Sequence, residues 1–257
     1  MIVFPMVGMS SRFFKAGYTK PKYMLDIDGR PCFDYSVAGF LSAYRDDHFV
    51  FVMRGDYETP EFVRGRLAAL GIKDYSIVVV DDVTKGQAET VERGLEGISE
   101  AGPNGLAIFN IDTFRINFEL ADAKSRGDGF LETFIGNGDN WSFVLPDELD
   151  DGRALKTTEK NPVSDHCCTG FYHFSTLDDF KYALSQERKK PSMNELYVAP
   201  LYNHLIAKGR NIRYTTVDVS DVVFCGIPRE YEDLVSAESG AQRERLRSLV
   251  EQKGTKF

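Results

Sequence analysis

The residues best suited to chemistry come early. After an apolar opening, Pro5-Met6-Val7-Gly8-Met9-Ser10-Ser11-Arg12-Phe13 forms a turn of small residues, and Lys20-Pro21-Lys22 follows. Such a turn presents backbone N–H groups to an anion, Arg12 can fork onto phosphate oxygens, and Lys22 adds a point charge on a loop stiffened by Pro21. The segment is neither a Walker loop nor a GxGxxG dinucleotide turn. Alone, the Gly/Ser turn reads as a surface turn with solvated cations; Arg12 and Lys22 together, behind a buried strand, favour a phosphate site.

Asp112 ends the apolar run Leu106–Ile111. A carboxylate there is a natural Mg²⁺ ligand, or a cap on the next turn. Gln87 can read a base edge through its amide or complete a capping box with Thr84. Glu159 can bond hydroxyls of a small molecule, or pair with Lys160 or Lys156. His166 and His173 have no carboxylate or serine motif around them, and His173 alternates with apolar neighbours as a structural residue would. Cys167 and Cys168 read as core or pocket-lining residues, and Arg188-Lys189-Lys190 as a solvated helix end.

These side chains need a scaffold, and hydrophobic periodicity supplies one. Ile2–Val7 reads as a short buried strand. Pro31 suits a first helical position, with Phe33, Val37, Phe40, Leu41 and Tyr44 at helical spacing behind it. His48–Met53 reads as a second buried strand, Pro60–Leu70 as a helix that stops at Gly71, and Tyr75–Val80 as a third strand. Gly86–Ser99 reads as a helix with Ala88, Val91, Leu95 and Ile98 on one face. With Leu106–Ile111 as a fourth strand, this order predicts a mostly parallel sheet covered on both faces. Open α/β sheets bind ligands at the carboxyl ends of their strands, where the Gly8–Arg12 turn and Asp112 fall.

The second half is punctuated by Gly127, Gly129, Gly136 and Gly138. Short strands are expected at Phe130–Ile135, Trp141–Leu145, Ala154–Thr158 and Thr169–Phe174, with helices at Thr176–Gln186 and Ala199–Ala207. A further strand is expected at Asn211–Val217, and one or two charged helices from Arg229.

Composition narrows the classes. The chain has 257 residues, with 31 Lys plus Arg against 39 Asp plus Glu, a net charge of −8. An acidic chain is a poor match for a nucleic-acid backbone. No run approaches the roughly 18 apolar residues that cross a bilayer, and the opening residues lack the basic and apolar regions of a secretory signal. The four cysteines form no CxxC pair, which points to reduced thiols and a cytoplasmic protein. An apolar share of 42% is enough for a full core.

Gly8-x-Ser10-Ser11-Arg12-Phe13 with Gly17-Tyr18 and Pro21-Lys22 resembles the signature of the sugar-phosphate nucleotidyltransferases, GxGxRxxxxTxxxPK. Met9 and Ser10 stand where that signature has a variable residue and then glycine. The variant present here, GxxSRFxxxGYxxPK, is common among capsule and surface-polysaccharide members. Gly86-Gln87-Ala88 resembles the family's base-contacting segment, Asn110-Ile111-Asp112 its metal-binding strand end, and Glu159-Lys160 its pair near the sugar phosphate. Thr169-Gly170-Phe171-Tyr172 resembles its sugar-pocket segment. Asn194–Pro200 and Gly226-Ile227-Pro228 resemble later landmarks, so the matches run in order over roughly residues 1–235.

The resemblance implies a Rossmann-like α/β fold of the GT-A type, a mostly parallel sheet flanked by helices with a smaller acceptor-binding subdomain. It implies one nucleotidyltransferase domain over 1–257. That domain has a nucleotide-binding half at 1–112, an acceptor-binding half at 113–235 and a C-terminal helix at 236–257, with a homodimer contact expected of the tail. Arg12 and Lys22 become catalytic. Met6, Val7, Gly8, Met9, Ser10, Ser11, Gly86 and Gln87 become nucleotide contacts. Asn110, Glu159, Lys160, Thr169 and Gly170 become acceptor contacts, and Asp112 holds Mg²⁺. Two departures stand out. Phe224 occupies the position where many relatives place a second metal Asp, and Ser142 stands where better-known members have a glycine against the sugar.

The implied partners are an NTP and a phosphorylated sugar or similar small acceptor, with no nucleic acid and no membrane. The implied reaction releases pyrophosphate and makes an activated precursor for capsule or surface polysaccharide. No general base is needed, because a phosphate monoester with a second pKa near ~6 is already largely dianionic at neutral pH. A glycosyltransferase of related fold would carry a DxD motif, but the triplet here is Asp112-Thr113-Phe114. A nucleotide-binding regulator is the non-enzyme alternative, and the retained Arg12, Lys22, Asp112 and Lys160 weigh against it.

Overall fold

Alternation along the early strands sorts their side chains onto two faces. In the computed structural model, which describes residues 1–236, 238 and 240–252, Ile2 and Phe4 enter one core with Phe49, Phe51 and Met53. Val3 enters the other with Val50 and Val52. The first core is aromatic: Phe4 stacks on Phe51 at 5.2 Å and meets Phe40 edge-on at 6.0 Å.

The first half comprises β1 (Ile2–Pro5), α1 (Ser11–Lys15), a small hairpin of β2 (Asp26–Ile27) and β3 (Arg30–Pro31), α2 (Cys32–Ala38), β4 (Phe49–Arg54), α3 (Thr59–Ala69), β5 (Tyr75–Val80), α4 (Gln87–Gly94) and β6 (Leu106–Ile108). Strand β1 is central and runs parallel to β4 and β6, and β4 runs parallel to β5. Phe33, Val37, Phe40, Leu41 and Tyr44 are all buried, but the expected helix is cut short: α2 ends at Ala38, and Phe40, Leu41 and Tyr44 pack from the turns that follow. On the opposite face Gly94 lets α4 lie close to the sheet, because a Cβ there would stand 2.5 Å from Val52 Cγ2.

The second half adds β7 (Thr113–Arg115), α5 (Ala123–Arg126), β8 (Gly129–Ile135), β9 (Ser142–Pro146), β10 (Ala154–Glu159), β11 (His166–Phe174), α6 (Leu177–Lys189), α7 (Leu201–Ala207), β12 (Ile212–Val217), β13 (Val222–Phe224), α8 (Pro228–Val235) and α9 (Gly240–Gln252). Among the described residues the main sheet has nine strands, ordered β10-β9-β11-β6-β1-β4-β5, with β8 paired to β11 and β12. Strand β11 joins the halves. It runs antiparallel to β8 along one edge and to β6 and β9 along the other. Strands β13 and β7 form a separate antiparallel pair.

The expected α/β sheet flanked by helices is therefore present, and several boundaries differ: β1 ends at Pro5 rather than Val7, and β11 begins at His166 rather than Thr169. Helix α4 stops at Gly94 rather than Ser99, since glycines at 94 and 97 follow and Gly97 turns left-handed (φ 80°). Strand β6 stops at Ile108; Phe109 N–H still donates to Val3 O at 3.1 Å, after which the chain leaves the sheet and carries Asn110 and Asp112 outward. Pro31 caps α2 instead of starting it. Helix α9 turns its Leu246, Leu249 and Val250 into the same core as α2, so the apolar side of the tail is covered within the chain. Ala237, Ser239 and residues 253–257 of the expected C-terminal helix lie outside the described residues. Among the described residues no helix is long and apolar enough to cross a membrane.

Candidate active site

The loop after β1 is tied down from both ends. Met6 N–H donates to Val52 O at 2.7 Å, and Ser10, at φ 49°, receives Phe13 N–H at 2.9 Å to start α1. The Ser10 hydroxyl accepts Lys22 N–H at 3.2 Å, so the two basic segments are fixed to each other. Lys22 Nζ then forms a short ion pair with Asp112 Oδ2. Asp112 is held by its own carbonyl, which accepts Cys225 N–H at 2.9 Å. Lys22 and the carboxylate expected to hold a metal thus meet directly.

Two cavities open here. One, of about 370 Å³, runs along the backbone from Pro5 to Met9 and past Gly86 and Thr90. The other, of about 920 Å³, has Arg12 at one side and Ser142, Glu159, Tyr172 and Trp141 at the other. They share a wall made of Lys22, Gln87, Asn110, Asp112 and Glu195. A molecule in each cavity would meet its partner across those five side chains.

Glycines shape that wall. Gly86 has φ 140°, and a Cβ on it would fall 2.6 Å from Leu196 O, so the start of α4 lies against the 194–197 segment. This close approach aims Gln87, whose Nε2 donates to Asn110 Oδ1 at 2.5 Å. The capping box with Thr84 does not form; Thr84 bonds Thr90 and Gly86 O instead. Gly170 has φ 95°, and a Cβ there would lie 2.3 Å from Asn110 Nδ2.

The residues expected to meet an acceptor divide in their orientation. Ser142 Oγ makes a short bond to Glu159 and lies 3.1 Å from Tyr172 OH. Burial raises the Glu159 carboxyl above its usual range, against the opposing pull of Ser142 and Lys160. Lys160, at φ 51°, donates to Tyr197 OH at 2.5 Å, and that bond holds its ammonium above the usual lysine range. Among the described residues Tyr197 rather than Lys160 forms the cavity wall. The Thr169 hydroxyl is turned inward to Glu132 at 2.9 Å, so Thr169 and Gly170 offer the cavity mainly backbone. Cys168 lines the cavity, but burial pushes its thiol well above the usual range, which suits a wall and not a nucleophile.

Phe224 packs against Trp141 (4.7 Å between ring centroids) and Phe134 (5.2 Å), an aromatic cluster where relatives are expected to place a carboxylate. Glu230 is the residue that sequence reasoning missed. Its Oε2 accepts Gly226 N–H at 2.8 Å and Ile227 N–H at 3.2 Å, and it lines the larger cavity. The position invites a reading as a helix cap, three residues past Ile227, and only the fold brings it round to Asp112.

In its architecture the chain is similar to a crystal structure of a nucleoside-diphosphate-sugar pyrophosphorylase from Vibrio cholerae RC9, with a TM-score of 0.86 and 46% identity over 91% of this chain and 99% of that one. The chain belongs to that family. The motif resemblance to sugar-phosphate nucleotidyltransferases agrees with this membership. Two more distant structures share the fold of the pyrophosphorylase family. One is an inositol-1-phosphate CTP transferase from T. maritima (TM-score 0.71, 15% identity, 96% of this chain and 95% of that one). The other is a UDP-glucose pyrophosphorylase complexed with UDP-glucose (0.69, 17%, 98% of each chain). No family model and no curated protein sequence matches the chain.

Proposed function

We propose that this pyrophosphorylase-family enzyme transfers a nucleotidyl group from an NTP to a sugar phosphate. The observation that carries the proposal is the pair of cavities meeting at Lys22, Asp112 and Asn110. The loop-lined cavity takes the nucleotide, with Met6 to Ser11, Gly86 and Gln87 as contacts. The larger one takes the acceptor, against Asn110, Glu159 and the backbone of Thr169 and Gly170, with Lys160 reaching in from beside Tyr197.

In the proposed step an oxygen of the acceptor phosphate attacks the α-phosphorus in line. The new P–O bond forms as the bond to the bridging oxygen of the β-phosphate breaks, and pyrophosphate leaves with that electron pair. The obstacle is repulsion between two anions, so the protein's task is positive charge and alignment. Arg12 holds the β- and γ-phosphates, Lys22 meets the α-phosphate, and Lys160 swings from Tyr197 to the acceptor phosphate.

The residues around Asp112 fit a hard cation. The Lys22 ammonium already rests on its carboxylate. Gly226 leaves a cradle in which an added Cβ would lie 3.1 Å from Asp112 Oδ2 and 3.7 Å from Glu230 Oε2. Mg²⁺ keeps several waters and leans on substrate phosphates, so it needs few protein carboxylates. Asp112 and Glu230 would hold it, and bound Mg²⁺ would neutralise charge on the triphosphate.

We further infer a cytoplasmic enzyme that makes an activated precursor for capsule or surface polysaccharide. A pyrophosphate-release screen of the four NTPs against phosphorylated sugars, polyols and amino alcohols tests the reaction. Release is expected with an NTP and a sugar phosphate. Tight nucleotide binding without release from any pair would favour a regulator instead.

A further inference from the structure

Behind the shared wall lies an ion pair that phosphate chemistry does not use. Arg115 and Glu132 are 2% and 3% exposed. Arg115 Nε donates to Glu132 Oε2 at 2.7 Å and Nη2 to Oε1 at 3.0 Å, a two-pronged contact. Its Nη1 donates to the carbonyls of Ile116 and Asp221, both at 2.6 Å. Desolvating two charges is costly, and apolar residues of similar volume often serve stability as well or better. What an apolar pair lacks is direction.

Direction is what the surroundings use. Glu132 Oε2 also accepts the Thr169 hydroxyl at 2.9 Å, and Thr169 Oγ1 accepts Phe171 N–H at 3.3 Å. At this point the register of β11 against β8 shifts between Cys168 and Tyr172. The shift carries Gly170 into its left-handed conformation against the Asn110 amide, and Asn110 in turn holds Gln87. Asn110 and Gln87 stand in the wall common to both cavities. The same arginine ends β7, the strand that follows Asp112, and grips the turn that leads into β13.

We propose that Arg115 and Glu132 form a buried clamp that positions the junction of the two cavities. Acting through Thr169, the clamp sets the irregularity in β11, and the irregularity sets Asn110 and Gln87. The proposal rests on the nucleotidyl transfer put forward above. Arg115, Glu132 and Thr169 are positioning residues; none of them needs to touch the reacting phosphates.

Thr169→Val keeps the shape and the ion pair but removes the donor to Glu132, and Thr169→Ser keeps the donor. Pyrophosphate release is measured with the wild type's best NTP and sugar phosphate, well below each variant's melting temperature. Thr169→Val is expected to lower kcat by about 10- to 100-fold, as misalignment does, with both KM values within about threefold. Thr169→Ser should restore kcat. The double variant Arg115→Met/Glu132→Leu replaces the charges with apolar volume and does not depend on Thr169→Val folding. It should melt near the wild-type temperature yet show the same loss of kcat. A folded Thr169→Val or double variant with wild-type kcat would overturn the proposal, as would failure of Thr169→Ser to restore it. A wild type that releases no pyrophosphate with any pair would overturn the reaction itself, and the clamp's role with it.

Discussion

Arg12 and Lys22 differ in what surrounds them, and that difference makes their substitution informative. Arg12 is exposed at the cavity edge, while Lys22 is fixed between Ser10 and Asp112. Replacing either with alanine should lower kcat by about 10²–10³, roughly 3–4 kcal/mol of transition-state stabilisation. The melting temperature of Arg12→Ala should stay close to wild type; full pyrophosphate release by either variant would refute the assignment. Glu230 calls for a different readout. Glu230→Gln retains an oxygen for the Gly226 and Ile227 amides but loses the charge, and Gly226→Ala fills the cradle while both carboxylates remain. Each should weaken Mn²⁺ binding by at least about tenfold in an electron paramagnetic resonance titration with pyrophosphate present. Titrations matching wild type for both variants would remove Glu230 from the metal site. At this scale the sequence was most legible where chemistry sits in one short run, as from Gly8 to Lys22. Glu230 and the inward turn of the Thr169 hydroxyl escaped because each depends on a partner distant in the chain.

Elements show the same division between local and distant causes. Periodicity located α6 closely, since it buries a face that its own spacing defines, and it placed β5 within its bounds although that strand is only half-buried at the sheet edge. The antiparallel seat of β11 between β6 and β8 has no such local signature. The ends of α4 and β6 were overrun for a related reason: both run on in apolar residues that serve the core from a loop, such as Leu95 and Phe109. Glycine positions separate tolerance from strain in these elements. Gly86→Ala meets the backbone of Leu196 in an unfavourable conformation, so thermal unfolding should report a loss of roughly 1–3 kcal/mol. Gly8 has nothing within 4 Å of an added Cβ, and Gly8→Ala should change stability by no more than about 0.5 kcal/mol. Equal melting temperatures for the two variants would contradict the close packing of α4 on the 194–197 segment.

For the molecule as a whole, the net charge of −8 coexists with a site where Arg12, Lys20, Lys22 and Lys160 fall in the motif segments. Net charge therefore spoke against a polymer of phosphates and was silent on a single nucleotide. Global stability carries a different titration. His173 is buried with its ring Nε2 2.7 Å from Asn104 O and 2.9 Å from Arg126. Burial, and then the nearby guanidinium, push its pKa down to about 4 from 6.5. Below pH 6.5 the unfolded chain takes up a proton that the folded chain refuses. This contribution to stability is therefore complete above about pH 6.5 and is lost progressively as pH falls towards 4, by up to about 3 kcal/mol. Urea unfolding at pH 7 and pH 5 should display the fall, and His173→Gln should flatten it; a wild-type curve without slope in that window would count against a neutral buried ring. Trp141, the chain's single tryptophan, stands in the wall of the larger cavity, the one proposed for the acceptor, beside Phe224. Its indole is thus a built-in optical reporter. Emission should respond to the filling of the acceptor half, so the order in which the two substrates enter can be followed in the native chain without any label.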